Sequence, residues 1–297
     1  MVTYRSVPLG HGENFFREAG DPKNPVLVLL HGFPSSSFLF RNLIEELQGD
    51  FHLIAPDYPG FGLSAAPLAP YTFARLADDV DQLLEVLQLS SYGLYLHDFG
   101  APVGLRIATK HPDRVVSLIV QNGNVYHESL SPAWDGMKNG IWKARTPETE
   151  APIRALMGSL SRLRGMYLAG VRDPSHISPD NWRLDYLALQ AVENVGTQLA
   201  LLADYPDNVS LYPAWHALLR ERQPPTLITW GTRDMYFTPE GAHAYLRELP
   251  DAEVHMLETG HFALEEESST IAGLIRNFYG TRGLALLPLI EPASAHH

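Results

Sequence analysis

The chain has 297 residues, 45% of them apolar and 19% charged, an ordinary globular composition that excludes disordered and fibrous classes. Its 34 acidic residues outnumber 22 basic ones for a formal net charge of -12, and no Lys/Arg cluster breaks that balance, so the electrostatic footprint for nucleic acid or an anionic membrane is missing. With no cysteine, disulfides, thiolate nucleophiles and zinc-thiolate centres are excluded. No metal or cofactor is expected, and the expected partner is a small apolar molecule bound by a monomer or homodimer. No apolar run approaches the ~20 residues of a membrane span, and Met1 to Gly10 lacks the regions of a signal peptide, so a cytoplasmic location is expected.

Thr3 to Pro8 and Asn14 to Glu18 read as an antiparallel edge hairpin. Val26 to Leu30 is a continuous apolar run, and Phe51 to Ala55, Tyr92 to Leu96, Val115 to Val120 and Thr226 to Trp230 share its character, as central parallel strands buried on both faces do. Helical patterns lie between them. In Thr72 to Leu89 the apolar Phe73, Leu76, Val80, Leu83, Leu84 and Leu87 recur at helical spacing, with acids on the other face. This alternation predicts a doubly wound α/β sheet whose ligand site lies beyond the carboxyl ends of the strands.

The alternation stops after Asn122 and resumes at Thr226. The stretch between is rich in helix formers, tryptophan and tyrosine and is too long for a loop. It reads as a helical cap over residues 126–221, inserted into a core of residues 1–125 and 222–297. Leu284 to Ile290 is apolar enough to pack on the body or on a neighbouring subunit, and His296 and His297 read as a tag remnant.

Four segments carry candidate chemistry. Tyr92 to His97 leads through Asp98, Phe99 and Gly100 into a helix at Val103 to Lys110, a strand, sharp turn and helix that would expose Asp98 above the sheet beside the Phe99 N–H. Taken alone, Asp98 serves equally well as a helix N-cap. His31-Gly32-Phe33-Pro34 follows the first buried strand, and a turn there can aim the Phe33 N–H at the same point, so that two donors form an oxyanion hole. Asp234 follows the last long buried strand; Thr238 and Pro239 already provide a cap and first-turn proline for the next helix, which leaves Asp234 free to orient a histidine. His261, in Thr259-Gly260-His261-Phe262, completes the order nucleophile, acid, histidine after the strand-like Glu253 to Leu257.

His31-Gly-Phe-Pro34, Asp57-Tyr-Pro-Gly60-Phe-Gly62-Leu-Ser64, His97-Asp98-Phe-Gly100, Asp234 and Gly260-His261-Phe262 together resemble the α/β-hydrolase branch that contains epoxide hydrolases and haloalkane dehalogenases. The likeness covers about Gly12 to Gly280 and is weak in the cap; Leu96 departs from the small residue general in esterase elbows. It implies an α/β-hydrolase fold, a mostly parallel sheet flanked by helices with an inserted cap.

An aspartate at the turn decides the reaction class. A serine displacing a leaving group at saturated carbon would form an ether that activated water cannot cleave, whereas a carboxylate forms an ester whose carbonyl stays electrophilic. Water activated by His261 would then attack Asp98 itself, with the oxyanion between the Phe33 and Phe99 N–H groups and Asp234 holding the imidazole. The resemblance implies that a halide would need a side-chain donor at the positions of Phe33 or Phe99, and a haloacid an arginine beside the nucleophile; neither is present. The expectation is therefore an epoxide hydrolase, whose ring oxygen is protonated by cap tyrosines as in the family, with Tyr205 (in Tyr205-Pro-Asp-Asn208) and Tyr167 as candidates. Tyr186 and Tyr212 read as packing. The alternatives are a haloalkane or haloacid dehalogenase using Trp134, Trp142 or Trp182 as the halide donor, and a non-catalytic binding protein that keeps the fold.

Overall fold

The structure is a computed structural model that describes residues 1–9, 12–66 and 71–284; residues 285–297, with most of the apolar tail and the terminal histidines, lie outside the described residues. One sheet contains β1 (Thr3–Leu9), β2 (Gly12–Ala19), β3 (Val26–Leu30), β4 (His52–Pro56), β5 (Tyr92–His97), β6 (Val115–Gln121), β7 (Thr226–Gly231) and β8 (Glu253–Leu257). Their spatial order is β1-β2-β4-β3-β5-β6-β7-β8. The edge hairpin β1/β2 forms as the sequence predicts, and β2 is antiparallel to β4, while every later neighbour is parallel.

All side chains of β3, β4, β5 and β7 are buried, so this part of the sheet needs cover on both faces. The flanking helices are α1 (Arg41–Leu47), α2 (Phe73–Val86) and α3 (Gly100–Lys110). Thr72 caps α2 by accepting the Arg75 N–H at 3.2 Å, and of the apolar stripe expected there Phe73, Leu76, Val80, Leu83 and Leu84 are buried, while Leu87, at the C-cap, is half-buried.

Between β6 and β7 the described chain is helical apart from turns and a single bridge pairing Leu130 with Phe237. Its helices are α4 (Asp135–Asn139), α5 (Pro147–Met157), α6 (Leu160–Leu168), α7 (Asp180–Ala188) and α8 (Val192–Arg222). α8 is fastened back onto the sheet-flanking helices: Asp204 Oδ2 accepts the Phe73 N–H at 2.8 Å, and Arg106 of α3 pairs with Asp207 at 2.8 Å. After β7 come α9 (Glu240–Ala244) and α10 (Leu264–Arg282), and α10 packs against α1. The expected Thr238 cap of α9 does not form. Pro239 occupies the N-cap position without a side-chain bond, and the Thr238 hydroxyl donates instead to the Glu128 carbonyl at 3.4 Å. No helix among the described residues is long and apolar enough to cross a membrane.

Because β3 and β5 to β8 run parallel, their carboxyl ends share one edge, and all the candidate motifs emerge there. Close approach at that edge depends on glycine. A Cβ on Gly100, the first residue of α3, would lie 2.2 Å from the Leu30 carbonyl oxygen of β3, a backbone atom that cannot step aside. Gly100→Ala is therefore expected to lower stability by about 1–3 kcal/mol, read as a lower urea midpoint with an unchanged slope. A variant as stable as its parent would contradict the close contact.

Candidate active site

The turn between β5 and α3 places Asp98 at φ 50°, a left-handed conformation that costs a non-glycine residue about 1–2 kcal/mol. The surroundings hold it there. Leu96, the unusually large residue of this elbow, lies over Gly104, where a Cβ would come within 2.2 Å of the Leu96 Cδ2. A Cβ on Gly32 would lie 2.2 Å from Asp98 Oδ1, so only glycine lets the β3 loop approach the carboxylate.

That loop is fixed by His31. Its Nδ1–H donates to the Gly32 carbonyl at 3.0 Å, its Nε2 accepts the Tyr58 N–H at 3.2 Å, and its ring stacks on Tyr58. Burial pushes the imidazole down to about 3, so it is a neutral strut. The loop then turns the Phe33 N–H onto Asp98 Oδ1 at 2.7 Å, and the Phe99 N–H also bonds this carboxylate.

Asp98 Oδ2 faces His261 Nε2 at 3.9 Å. His261 Nδ1–H donates to Asp234 Oδ2 at 2.7 Å, and Asp234 is further held by the Asn122 amide at 2.8 Å and the Tyr236 N–H at 2.7 Å. Gln121 donates to the His261 carbonyl at 2.9 Å. Burial alone would lower the His261 pKa, but the charge and hydrogen bond of Asp234 and the charge of Asp98 raise it above the ordinary imidazole value of 6.5. Burial raises Asp98 against the opposing effects of His261 and the Phe33 and Phe99 N–H groups. The carboxylate is thus placed as a nucleophile, and the imidazole, when neutral, as a base able to activate water beside it.

Asp98 and His261 open onto a cavity of ≈ 60 Å³. Its walls are apolar: Phe33 and Phe99 from the core, Trp134 and Met137 near α4, and Leu156, Met166 and Leu202 from α5, α6 and α8. The remaining polar side chain is Tyr236, and no Lys or Arg lines this space among the described residues.

Asp98, Asp234, His261, Phe33 and Phe99 thus come together, with His31, Gly32 and Gly100 behind them. Pro34 follows Phe33 through a cis peptide bond. His97 is buried, bonds the Gln121 carbonyl at 3.0 Å through Nδ1, and packs 4.7 Å from His261 between ring centroids. The two tyrosines expected as acids, Tyr167 and Tyr205, are not brought into the cavity lining. Tyr167 stacks on Phe262 at 4.0 Å and donates its hydroxyl to the buried Asp185 at 2.6 Å, so its proton is already engaged. Tyr205 stands one layer behind the cavity wall, its ring against Trp142, Trp134 and Phe99 and its hydroxyl toward Tyr212 and Asn124. Of the tryptophans, Trp134 donates its indole N–H to the Tyr236 carbonyl at 3.1 Å, and Trp182 lies beside Tyr167. The buried Trp142 indole N–H has no partner among the described residues. Sequence reasoning missed Asn122 and Tyr236. Asn122 could have been flagged as an amide directly after a buried strand, at the edge where ligand sites lie.

The signature of the alpha/beta hydrolase fold matches residues 25–268, and the chain belongs to that family, as a hydrolase. An uncharacterized hydrolase of Saccharomyces cerevisiae is 38% identical over 87% of this chain and 90% of its own length. Haloalkane dehalogenase 1 of Mycobacterium tuberculosis is 40% identical over 84% of this chain and 81% of its own. Among solved structures, the epoxide hydrolase CorEH superposes with a TM-score of 0.77 over 95% of this chain and 100% of that one, at 22% identity, a likeness of fold.

If neutral His261 is the base, hydrolysis of an enzyme ester should be lost as pH falls through its pKa and complete above it. Asp234→Asn removes the charge that raises this pKa, so the midpoint of the hydrolysis rate should move to lower pH and the plateau should fall. Asn122→Ala, which removes a hydrogen bond to that carboxylate, should lower the plateau by roughly 10- to 100-fold, from about 1.5–3 kcal/mol. Rapid-quench pH profiles check both, and an unmoved midpoint in Asp234→Asn would contradict the assignment.

Proposed function

We propose that this hydrolase opens small uncharged epoxides to vicinal diols through an alkyl ester on Asp98. The observation that carries the reading is the division of labour between the two oxygens of Asp98. Oδ1 rests on the Phe33 N–H at 2.7 Å, Oδ2 faces His261 Nε2 at 3.9 Å, and Asp98 lines the cavity. Oδ2 attacks a ring carbon, the C–O bond breaks, and the ring oxygen takes up a proton. His261 then removes a proton from water, which attacks Cγ of Asp98. The tetrahedral oxyanion forms where Oδ1 already lies, so the Phe33 N–H that it accepts need not reorganise. Collapse releases the diol oxygen, which takes the proton from His261.

The absence of Lys and Arg from the cavity wall, among the described residues, gives a substrate carboxylate no counter-charge beside Asp98, which argues against haloacids. A second reading, a haloalkane dehalogenase, is favoured by the unpartnered Trp142 indole N–H and by the dehalogenase relative. Against it, Phe33 and Phe99 offer no side-chain donor at the nucleophile, and the Trp134 N–H is occupied.

Single-turnover hydrolysis of an epoxide in heavy-oxygen water tests the covalent route. The first diol should carry unlabelled oxygen from Asp98, with label entering the carboxylate; label in the first diol would mean direct attack by water. Diol formation from epoxides, compared with halide release from haloalkanes, separates the two readings, and halide release alone would favour the second.

A further inference from the structure

Resting on the epoxide reading, we infer that the ring oxygen is protonated by Tyr236, from the loop that carries the triad acid, and not by a tyrosine of the helices between β6 and β7. The loss of both expected donors leaves the step without an acid. Tyr167 donates its hydroxyl hydrogen bond to Asp185, and the Tyr205 ring packs against the far sides of Phe99 and Trp134, outside the cavity lining. Tyr236 is the phenol that shares the cavity with Asp98 and His261 among the described residues.

Its placement is set by the triad. The Tyr236 N–H is bonded to Asp234 Oδ1, the carboxylate whose other oxygen holds His261. On the other side its carbonyl accepts the Ser131 N–H and the Trp134 indole N–H, both at 3.1 Å. The backbone is pinned from both directions, and the ring meets the His261 imidazole edge-on at 5.3 Å between centroids. Such fixation lowers the cost of ordering the donor at the moment of reaction. The hydroxyl forms no hydrogen bond within the described residues, so its proton is uncommitted. Burial, together with the charges of Asp234 and Asp98, pushes the phenol well above its ordinary value, which keeps it protonated at working pH.

The balance closes without any further reactant. As Asp98 Oδ2 bonds to the ring carbon and the C–O bond breaks, the Tyr236 proton passes to the ring oxygen, leaving a β-hydroxyalkyl ester and a tyrosinate. Hydrolysis regenerates Asp98 as a carboxylic acid, and that proton returns to the tyrosinate. A halide leaves without a proton, so the same residue is dispensable for displacement of bromide.

That difference in leaving group provides the test. In a His261→Gln background, which stops the reaction at the ester, ester formation on Asp98 is timed by rapid quench and mass measurement with epoxybutane and with bromobutane. Adding Tyr236→Phe should slow the epoxide reaction by about 10²-fold or more and leave the bromide reaction within about threefold. Adding Tyr205→Phe should slow neither selectively. The inference is overturned alone if Tyr236→Phe leaves the epoxide rate intact, slows both substrates equally, or if Tyr205→Phe shows the selective loss. An ester from bromobutane but none from epoxybutane in the parent overturns the epoxide reading and this inference together.

Discussion

The structure depends on keeping a carboxylate charged in a site almost closed to bulk water. Asp98 is 7% exposed, and transferring such a charge from water is costly unless it is paired and hydrogen-bonded. The offset comes from the Phe33 and Phe99 N–H groups and from His261 across 3.9 Å. In the proposed reaction the Phe33 N–H would also serve the second half, because the oxyanion of ester hydrolysis would occupy the position where Oδ1 now rests. On the proposed mechanism one fixed electrostatic arrangement would stabilise both the resting carboxylate and the hydrolytic intermediate.

Three strand ends are interlocked to hold the histidine. Asn122 after β6 accepts the Gly231 N–H of β7 at 2.8 Å and donates to Asp234, while Gln121 holds the His261 carbonyl. A Cβ on Gly231 would lie 2.1 Å from the Gly260 carbonyl oxygen, so the acid and histidine loops meet backbone to backbone. The helices beyond β6 join the same lock, since a Cβ on Gly260 would lie 2.0 Å from the Ala169 carbonyl oxygen. Glu266 accepts the Thr259 hydroxyl of the histidine loop and the Arg172 N–H beyond α6.

The sheet was legible in the sequence because its central strands are buried on both faces and so read as unbroken apolar runs, as in Val26 to Leu30. Asp98 and Asp234 were legible because each follows such a run, and His261 because it follows the mixed strand Glu253 to Leu257 late in the chain; topology brings these distant strand ends together. The cap tyrosines were not, since the direction of a side chain on a helix is decided by tertiary partners that spacing does not reveal. Asp185 captures Tyr167, and a stack of aromatic rings holds Tyr205 back. Asn122 depends on its own φ of 48° and on a partner 112 positions away. Tyr236 lies two residues past Asp234 in a loop without periodicity, and its place beside His261 is set by the bond of its N–H to Asp234.

The central claim is a covalent bond between substrate carbon and the Asp98 carboxylate. Peptide mass mapping of the His261→Gln protein after exposure to a small epoxide tests it most directly. An adduct of the whole epoxide is expected on the peptide containing Asp98, absent when Asp98→Asn is added. An unmodified peptide from a protein that still consumes the epoxide, or an adduct on another residue, would contradict it.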